Sequence, residues 1–521
     1  MAASPNRRRL LAVVSAALAV AGLAAPSQAQ AATTYGNDIS WPQCGAAGSG
    51  YGVPTTAAFV VLGLTNGLPF TENPCVASQV AWAKGRALPA QAYTMAAYPT
   101  SSQLQSNGGS GPWSSSTVAG RLANVGYAEA RYAVATLTRI GFRPPVVWVD
   151  VEPRPAQPWP TGSDVIRARN RWVVTGLLRG LHEAGYAYGL YSYANGWSDI
   201  VGTWRLPGVP VWATAGRKTS ADALAMCPGP SFSGGPVHLA QWYNDTLDSD
   251  LTCPAYAFAP PLPYPPSSPN DLNADWTSDV LAREHATGTL WLYPRSRTGW
   301  LPRVQMATGW QGMSVVDTAD DLTNDGVPDV LALEQATGTL WTYPVRRSGS
   351  GFAPRQQAGR GWQGMDVVVG AGDLSGDGIP DVLARERATG VLWLYRRTTS
   401  GWGARLRIGG GWQAMNALVA PGDFTGDGRP DVLAREKATG YLWLYPGTST
   451  GTLGPRTRIG AGWGIFDAIA APGDLNNDAR PDVVVREHST GYLWLYSRDD
   501  AGTWRPRVRI GVGWQIFDVL T

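Results

Sequence analysis

The first half of the chain alternates short apolar runs with longer segments in which apolar residues recur at helical spacing. The apolar runs predict strands at residues 57–64, 89–96, 145–152, 186–193, 209–214 and 236–243. The segments between them predict helices at residues 75–86, 116–140 and 164–184. Because buried strands that alternate with helices form parallel sheets, residues 32–256 are predicted to fold as an α/β domain, and their number suits a TIM-like (β/α) barrel.

The second half follows a different pattern, in which a nine-residue loop rich in aspartate recurs five times. The first aspartate recurs after 50, 52, 50 and 51 residues, and loops 1 to 5 begin at Asp271, Asp321, Asp373, Asp423 and Asp474. Each loop is followed by short strands that contain a Thr-Gly-x-Leu-Trp-x-Tyr run and later a Gly-Trp run. A period of this size is typical of a supersecondary unit copied in tandem, so residues 271–521 are predicted to form a five-bladed β-propeller.

The first repeat lacks its fourth strand before Asp271, where the chain is rich in proline. A matching run is present at residues 513–520. We therefore predict that this C-terminal strand completes the first blade and closes the ring, because an open solenoid would expose unpaired strand edges. The proline-rich segment, residues 257–270, is predicted to be an extended linker between the two domains.

Positions one, three, five and nine of every loop carry side-chain oxygens. The twenty residues are Asp271, Asn273, Asp275, Asp279, Asp321, Thr323, Asp325, Asp329, Asp373, Ser375, Asp377, Asp381, Asp423, Thr425, Asp427, Asp431, Asp474, Asn476, Asp478 and Asp482. Alternate residues of a tight loop aim inward, and calcium prefers six to eight hard oxygens, so the loops predict structural Ca²⁺. The alternative is an aspartate-rich turn held by hydrogen bonds from the backbone to its side chains.

The sixth position distinguishes the loops from one another. It is glycine in loops 2, 3 and 4, but Trp276 in loop 1 and Ala479 in loop 5. If this position needs a positive φ, a residue with a Cβ is strained there by about 1 kcal/mol, and the middle three loops should bind calcium more tightly. The repeats resemble the FG-GAP/VCBS repeats of secreted bacterial proteins and, more distantly, the blades of integrin heads. That resemblance implies a propeller with calcium in its loops.

Two sets of aromatic residues recur with the blades. Tryptophan and tyrosine two residues apart share one strand face at Trp291/Tyr293, Trp341/Tyr343, Trp393/Tyr395, Trp443/Tyr445 and Trp494/Tyr496. The Gly-Trp runs add Trp310, Trp362, Trp412, Trp463 and Trp514. We interpret both sets as core between blades, and a platform for stacking sugar rings is the alternative.

Residues 1–31 have the organisation of a secretory signal, with Arg7-Arg8-Arg9, an apolar run and an Ala29-Gln30-Ala31 cleavage site. We therefore expect a secreted protein, extracellular or cell-wall associated, exported by the Sec route unless the arginines mark twin-arginine export. Removing the signal takes three of the 42 Lys and Arg and leaves 39 against 39 Asp and Glu. A formally neutral chain argues against a nucleic-acid partner. No later apolar run is long enough to span a membrane.

The four cysteines all precede the repeats, and in an exported domain they predict two disulfides with three possible pairings. We choose Cys44–Cys75 and Cys227–Cys253, which places one bridge near each end of the domain. A zinc site is the alternative, but the chain contains no Cys-x-x-Cys pair and exported thiols usually oxidise.

The strand predicted at residues 145–152 is apolar until its C-terminal end, where it carries Asp150 and Glu152. Period two puts both carboxylates on one face, roughly 6.6 Å apart along the strand. In a barrel this end is the mouth of the active site, and close carboxylates repel, so one of them can stay protonated and act as an acid. The alternative is a helix cap or a salt-bridged strand end. A Ser-His-Asp hydrolase is disfavoured, because the domain has only His182 and His238 and lacks Gly-x-Ser-x-Gly.

The order of motifs over residues 35–253 resembles glycoside hydrolase family 25, the lysozymes that cut peptidoglycan. The motifs in chain order are Gly36-Asn37-Asp38-Ile39-Ser40, residues 59–67, residues 90–97, residues 147–153, Tyr188-Gly189-Leu190-Tyr191-Ser192, Val211-Trp212-Ala213, residues 239–243 and Asp248-Ser249-Asp250-Leu251. The sequence departs from the family at three places. They are Tyr93-Thr94-Met95 in place of Tyr-His-Phe, Leu64-Thr65-Asn66-Gly67 in place of Lys/Ala-Thr-Glu-Gly, and Gln241-Trp242 with its order reversed.

The resemblance implies roles for eight residues. Glu152 would protonate the leaving glycosidic oxygen, and Asp150 would be the nucleophile or orient an N-acetyl group in a retaining or substrate-assisted mechanism. Asp38 and Asp250 would tune this pair and bind sugar. The residues that would line sugar subsites, or else pack the barrel, are Tyr93, Tyr191, Trp212 and Trp242. Catalysis of this kind needs no cofactor.

These features together predict a secreted, monomeric, muramidase-like hydrolase that acts on cell-wall glycan or another polysaccharide. The propeller would be stabilised by calcium and bind a ligand or a surface. One alternative is a non-catalytic glycan-binding protein with a degenerate barrel, and another is a surface protein whose propeller mediates protein contacts. The Asp150/Glu152 pair favours the enzyme, whereas the change on the third strand favours the binding protein.

Overall fold

The computed structural model describes residues 33–521 except 245, 257, 259–269, 297 and 399–400. The predicted signal, residues 1–31, and most of the predicted linker, residues 257–270, lie outside the described residues. None of the helices within these described ranges is long and apolar enough to cross a membrane.

Eight strands close a barrel in the N-terminal domain, and they follow one another around it in chain order. They are β1 Tyr35–Ile39, β2 Val60–Gly63, β3 Ala90–Met95, β4 Val146–Asp150, β5 Ala187–Ser192, β6 Val211–Thr214, β7 Val237–Tyr243 and β8 Asp248–Thr252. Strands β1 to β7 are parallel, whereas β8 runs antiparallel between β7 and β1. The predicted TIM-like α/β barrel is confirmed, and its six predicted strands correspond to β2 to β7.

Six α-helices belong to the barrel domain. They are α1 Val76–Gly85, α2 Ser101–Asn107, α3 Val118–Arg139, α4 Asp164–Glu183, α5 Ala194–Val201 and α6 Ser220–Met226. The predicted helices are α1, α3 and α4. The last two begin at capping residues, because Thr117 accepts a hydrogen bond from the Gly120 amide at 2.9 Å and Ser163 accepts one from Ile166 at 3.3 Å. The other three helices have eight residues or fewer, too few for an apolar period to stand out.

Two disulfides close the ends of the barrel domain, with the pairing chosen from the sequence. Cys44 lies in a 3₁₀ segment, Trp41–Gly52, and bonds to Cys75 just before α1, with a Cα–Cα distance of 5.6 Å. Cys227 ends α6 and bonds to Cys253 just after β8, with a Cα–Cα distance of 5.3 Å. These bridges tie the antiparallel strand and the first loop to neighbouring helices.

The C-terminal half forms five four-stranded antiparallel sheets, which are the blades of the predicted propeller. Blade 1 contains β9 Val280–Glu284, β10 Leu290–Tyr293, β13 Val304–Ala307 and β32 Phe517–Leu520. Blade 2 contains β14 Met313–Ala319, β15 Asp329–Glu334, β16 Thr339–Pro344 and β17 Gln356–Gly359. Blade 3 contains β18 Met365–Gly370, β19 Val382–Glu386, β20 Leu392–Tyr395 and β23 Leu406–Gly409.

The two remaining blades and two small hairpins complete this half of the chain. Blade 4 contains β24 Met415–Gly422, β25 Asp431–Glu436, β26 Leu442–Tyr445 and β27 Thr457–Gly460. Blade 5 contains β28 Phe466–Gly473, β29 Asp482–Glu487, β30 Leu493–Tyr496 and β31 Val508–Gly511. The hairpins pair β11 Arg295–Ser296 with β12 Gly299–Trp300, and β21 Arg397–Thr398 with β22 Gly401–Trp402.

The ring is closed by the C-terminal strand, as the sequence predicts. β32 pairs antiparallel with β9 in blade 1, with Phe517 opposite Glu284 and Leu520 opposite Ala282. The Thr521 hydroxyl then donates to Asp317 Oδ1 at 2.6 Å and accepts from the Thr318 amide at 3.1 Å, so the end of the chain also contacts blade 2. Blade 1 is therefore built from both ends of the repeat region.

The recurring aromatic residues pack between the blades. Each strand tyrosine lies 4.4 to 4.8 Å, between ring centroids, from the Gly-Trp tryptophan of another repeat; the pairs are Tyr343/Trp310, Tyr395/Trp362, Tyr445/Trp412, Tyr496/Trp463 and Tyr293/Trp514. Each strand tryptophan lies 3.8 to 4.0 Å beneath an arginine side chain; the pairs are Trp291/Arg303, Trp341/Arg355, Trp393/Arg405, Trp443/Arg456 and Trp494/Arg507. The aromatic pairs thus join neighbouring repeats around the ring, whereas each cation–π contact lies within one blade.

Candidate active site

Asp150 and Glu152 lie where β4 reaches the carboxyl ends of the parallel strands. The strand itself is fully buried from Val146 to Val149, which is the pattern of a strand covered on both faces. Asp150 is its last residue, and Glu152 follows before Pro153. In barrels of this kind the chemistry is found at this end, so the fold puts both carboxyls at the mouth.

Arg154 joins the two carboxylates. Its Nη2 lies 2.9 Å from Asp150 Oδ2 and 3.1 Å from Glu152 Oε2, so these two oxygens are no more than 6 Å apart. The same nitrogen lies 3.4 Å from the sulfur of Met95, one of the residues at which the sequence departs from the family pattern. The side chain of Asp150 is only 4% exposed, against 17% for Glu152 and 34% for Arg154, so Glu152 is the carboxyl that solvent reaches.

The environment favours a shared proton on this pair. Burial, and then the charge of Glu152, raise the pKa of Asp150 well above its ordinary value. Burial also raises the pKa of Glu152, while the charge of Arg154 and the nearby Tyr191 hydroxyl lower it without cancelling the rise. Two close carboxyls with raised pKa values titrate as a unit, and the direction of both shifts favours the protonated form of one of them.

A chain of hydrogen bonds lies beside the pair. The Tyr191 hydroxyl donates to Gln241 Oε1 at 2.7 Å, and Gln241 Nε2 donates to Asp38 Oδ2 at 2.8 Å. Trp212 Nε1 donates to Asp250 Oδ1 at 2.8 Å. Side chains of β5, β7 and β1 are therefore linked in one chain, and side chains of β6 and β8 in a separate pair.

Three aspartates face one another on β1 and β8. Asp38 stands opposite Asp248 in the register of the two strands. Burial, then Asp250 and Asp248, raise the pKa of Asp38 well above its ordinary value, and burial raises the pKa of Asp250 to about 8. Because β8 is antiparallel, its first residue, Asp248, lies at the mouth, where its charge also raises the pKa of Glu152. Asp248 is thus close enough to the carboxylate pair to affect its titration.

The four predicted aromatic residues divide into two groups. Tyr93 and Tyr191 lie 6.0 and 4.6 Å from Trp212, between ring centroids, so these three meet inside the barrel. Trp212 is 2% exposed and holds Asp250, which makes it a packing residue rather than a surface for stacking sugars. Trp242 points away from this group and packs edge-on against Tyr35, 6.1 Å away, because alternation along β7 turns Gln241 inward in its place.

Arg154, Asp248 and Gln241 also belong to the site, although they were not among the residues predicted from the sequence. Period two could have identified Asp248, since it precedes Asp250 by two residues in β8. Gln241 was noted only as half of a reversed Gln-Trp pair. Its orientation depends on which face of β7 points into the barrel, which the local sequence does not indicate.

The five acidic loops share one backbone conformation. In loop 3, Asp373 accepts hydrogen bonds from the amides of Gly376, Asp377 and Gly378 at 2.7 to 2.9 Å. Asp381 at position nine accepts one from the Ser375 amide at 2.7 Å. The first aspartate is held by backbone amides in the same way in the other loops; the residues are Asp271, Asp321, Asp423 and Asp474. The side-chain to backbone turn expected as the alternative is therefore present in each loop.

Several loop oxygens that accept no hydrogen bond from the described residues are suited to a hard cation. Asp279 is fully buried, and its Oδ1 has no hydrogen-bond partner among the described residues. The position-three oxygens of Ser375, Thr425 and Asn476 are also buried without a partner there. Burial and the charges of Asp271 and Asp275 raise the pKa of Asp279 well above its ordinary value. Clustered carboxylates and buried oxygens are the donors that calcium prefers.

The loops still differ from a formed coordination shell. Within the described residues no group of three or more His, Cys, Asp or Glu side chains is arranged to hold a metal ion. The side chains would therefore have to close further around an ion. The residues that would supply the oxygens are still those predicted from the sequence, at positions one, three, five and nine of each loop.

Comparison with known families identifies the repeats. Residues 321–384, 373–434 and 423–485 match the model of the FG-GAP-like repeat. These three overlapping matches cover loops 2 to 5, and the strands between them belong to blades 2 to 5. The C-terminal region is thus shown to contain FG-GAP-like repeats. A search of curated proteins found no match.

Solved structures similar to this chain are muramidases and lysozymes. A muramidase from Trichobolus zukalii is 16% identical, with a TM-score of 0.28, over 42% of this chain and 92% of that one. A family GH25 lysozyme from Aspergillus fumigatus is 17% identical, with a TM-score of 0.27, over 42% and 94%. A bacterial lysozyme from Streptomyces coelicolor is 14% identical, with a TM-score of 0.27, over 42% and 92%. The chain is therefore similar to glycoside hydrolase family 25 structures over about two fifths of its length, and it carries FG-GAP-like repeats in its C-terminal region.

Proposed function

We propose that the barrel is a glycoside hydrolase acting on cell-wall glycan, in the manner of a muramidase, with Glu152 as its proton donor. One observation carries this proposal: two carboxyls with raised pKa values stand within 6 Å of each other at the mouth of a barrel. The substrate class comes from the sequence resemblance to family 25 over residues 35–253. A structural ion pair at a strand end would need only one carboxyl, with a pKa lowered by its partner.

The separation of the carboxyls favours retention of configuration. Retaining glycosidases hold their two carboxyls about 5 to 5.5 Å apart, whereas inverting enzymes leave about 6.5 to 9.5 Å for a water molecule. An upper limit of 6 Å between Asp150 Oδ2 and Glu152 Oε2 belongs to the first class. Glu152 is the more exposed of the two, so it can reach a glycosidic oxygen, and Asp150 lies deeper.

The reaction divides into two proton transfers. Glu152 gives its proton to the glycosidic oxygen as the bond from that oxygen to the anomeric carbon breaks. Asp150 carboxylate then bonds to that carbon, or orients an N-acetyl oxygen that does so. Glu152, now ionised, takes a proton from water as the water oxygen attacks the carbon and releases the sugar. Tyr191, Gln241 and Asp38 supply the fixed hydrogen bonds that keep this region oriented.

The propeller is proposed to bind calcium through its five loops and to act outside the cell. The buried oxygens without partners and the clustered carboxylates support the metal, and the signal-like residues 1–31 support secretion. Bound calcium would neutralise carboxylates that otherwise repel one another and would stabilise the blades whose strands the loops join. Catalysis in the barrel does not use this metal.

A zymogram with cell-wall peptidoglycan, beside polymers of N-acetylglucosamine, tests the activity. The parent should clear peptidoglycan, and Glu152→Gln should lose several orders of magnitude in rate, because it removes the transferable proton while keeping the shape. Glu183→Gln on α4 is the matched control, since that side chain is 38% exposed and contacts Arg179 rather than the site. Equal clearing by Glu152→Gln and the parent would refute the assignment.

A glycan-binding protein without catalysis is the second candidate, and Arg154 favours it. Its guanidinium pairs with both carboxylates, and the Asp150 side chain is only 4% exposed. A site blocked in this way would bind glycan without cutting it. Sedimentation with insoluble peptidoglycan that remains undigested by the parent, and by Arg154→Ala, would support the binding protein over the enzyme.

A further inference from the structure

The sixth residue of every acidic loop has a positive φ, and in every loop it lies against the barrel. The values are 69° for Trp276, 84° for Gly326, 84° for Gly378, 89° for Gly428 and 63° for Ala479. The barrel groups that these residues contact belong to α3 and the segment before it, to α4, and to the segment between α5 and β6. The loop face of the propeller is therefore the face that the barrel covers.

The three glycines are required by space as well as by backbone conformation. A Cβ on Gly326 would lie 2.8 Å from the Cα of Gly208, and one on Gly428 would lie 2.9 Å from the carbonyl oxygen of Asp164. A Cβ on Gly378 would collide with the side chain of Arg205. Loops 2 and 4 approach the barrel backbone so closely that no larger residue fits, whereas in loop 3 the Arg205 side chain would have to move.

Loops 1 and 5 contact the barrel in a different way. Trp276 is 8% exposed, packs into the main apolar core of the barrel, and lies edge-on to His182 with 5.8 Å between ring centroids. Ala479 is 3% exposed and packs with Trp113 and Ala123. A side chain at positive φ is strained, and glycine would relieve that strain. The apolar contact with the barrel is the evident reason why these two loops keep a side chain.

Polar contacts run along the same boundary. The Thr117 hydroxyl donates to the carbonyl oxygen of Asp478, and the Ser114 amide donates to that of Asn477 at 2.7 Å. Arg429, the seventh residue of loop 4, pairs with Asp164 at the start of α4. The loops thus contact the first residues of α3 and α4, the helices that precede and follow the strand carrying Asp150.

We propose that the five acidic loops form a calcium-dependent dock for the barrel, with Trp276 and Ala479 as its apolar anchors. This rests on the proposed calcium sites but not on the proposed hydrolase activity. In each loop the ion would be held by positions one, three, five and nine, and it would fix the intervening sixth residue against the barrel. Buried Asp279, with its unpartnered Oδ1 near Asp271 and Asp275, belongs to the same loop as the Trp276 anchor.

Whether a glycine substitution raises or lowers the melting temperature tests the proposed anchor role of Trp276 and Ala479. Trp276→Gly and Ala479→Gly relieve strain, so in the absence of docking each should leave the melting temperature unchanged or raise it by about 2–4 °C. If these residues dock the barrel, calorimetry of the full chain in calcium should instead show a fall of several degrees and a separation into two transitions. Circular dichroism at 222 nm assigns the barrel transition, because every α-helix of the described residues lies in the barrel.

Asn324→Gly is the matched control. Asn324 also has a positive φ, 60°, in loop 2, but it is exposed. It should therefore show the small rise expected from relief of strain alone. A Trp276→Gly protein that behaves like Asn324→Gly, with one transition at or above the parental temperature, would overturn the docking role.

The calcium dependence is tested by calorimetry of the parent and of a double variant, each with and without a chelator. Chelation should lower the barrel transition of the parent, because an ion bound only to the docked form stabilises that form. In the double variant Trp276→Gly/Ala479→Gly, calcium should still give heat of binding but should no longer move the barrel transition. An equal calcium shift of the barrel in parent and double variant, or no calcium binding by the parent, would overturn the coupling. Neither result depends on whether peptidoglycan is cut.

Discussion

Closure of the propeller by its last strand can be tested by comparing two equivalent tryptophans. Trp514 packs on Tyr293 at 4.5 Å between ring centroids and joins the last repeat to the first, whereas Trp362 packs on Tyr395 at 4.4 Å within the ring. Both are 6% exposed. If the ring is closed, Trp514→Ala and Trp362→Ala should destabilise the propeller equally, by about 3–5 kcal/mol each.

Removing residues 514–521 is the stronger perturbation. It deletes Trp514 and the 3% exposed Phe517, and it leaves Arg283 without Asp518, which binds it through two hydrogen bonds of 2.9 and 2.8 Å. Two buried aromatic losses alone amount to about 6 kcal/mol or more. That figure is comparable with the whole stability of a domain, roughly 5–15 kcal/mol, so the truncated propeller should not fold cooperatively.

Urea titration measures the loss of stability in each tryptophan variant, and calorimetry shows whether the truncated protein still has a propeller transition. Val512→Ala is the control on the same segment, because Val512 is 63% exposed and its truncation should change stability by no more than about 0.5 kcal/mol. An open solenoid would give a different pattern, with a large loss for Trp362→Ala and less than about 1 kcal/mol for Trp514→Ala. That result, or an unchanged transition after truncation, would refute closure.

Three further predictions concern the site, the metal and the disulfides. Arg154→Met removes a charge that lowers the pKa of both carboxyls, so the pH–rate profile should move to higher pH by about one unit, measured as kcat/KM on cell-wall fragments. Asp377→Ala should lose one calcium site by calorimetric titration and melt lower than the parent in calcium, but not in chelator. Replacing Cys44 and Cys75 by serine should cost about 3–4 kcal/mol of stability, since the bridge closes a separation of 31 residues; an unchanged urea midpoint would contradict this.

Patterns with a local cause could be predicted from the sequence. The apolar strands of the barrel, the long helices α3 and α4 and the blades all carry periodicities that depend on neighbouring residues alone. The carboxylate pair is of this kind too, because Asp150 ends β4 and Glu152 follows it by only two residues. The positive φ at position six was inferred from three glycines, and the structure extends it to Trp276 and Ala479.

Contacts between distant elements could not be predicted in this way. Strand β8 begins with polar residues and is recognisable only from its two partners in the barrel, so Asp248 was not placed at the mouth. Trp242 was expected near the sugar subsites, but the face of β7 that points inward is decided by the closed barrel and carries Gln241. From the sequence alone, Trp276 is only a strained residue in a metal loop. Its contact with the barrel is visible only in the structure.

The pairing of β32 with β9 has a consequence for how fast the propeller can fold. Phe517 lies opposite Glu284, 233 positions earlier in the chain, whereas the pairings inside blades 2 to 5 join strands that are close in sequence. A long-range pairing loses loop-closure entropy before its stabilising contacts form. Such pairings therefore slow folding. Blades 2 to 5 should therefore form early, and blade 1 should wait with one edge of β9 unpaired. During that interval the unpaired edge can accept the last strand of a second molecule, so slow refolding at high protein concentration should yield strand-exchanged oligomers.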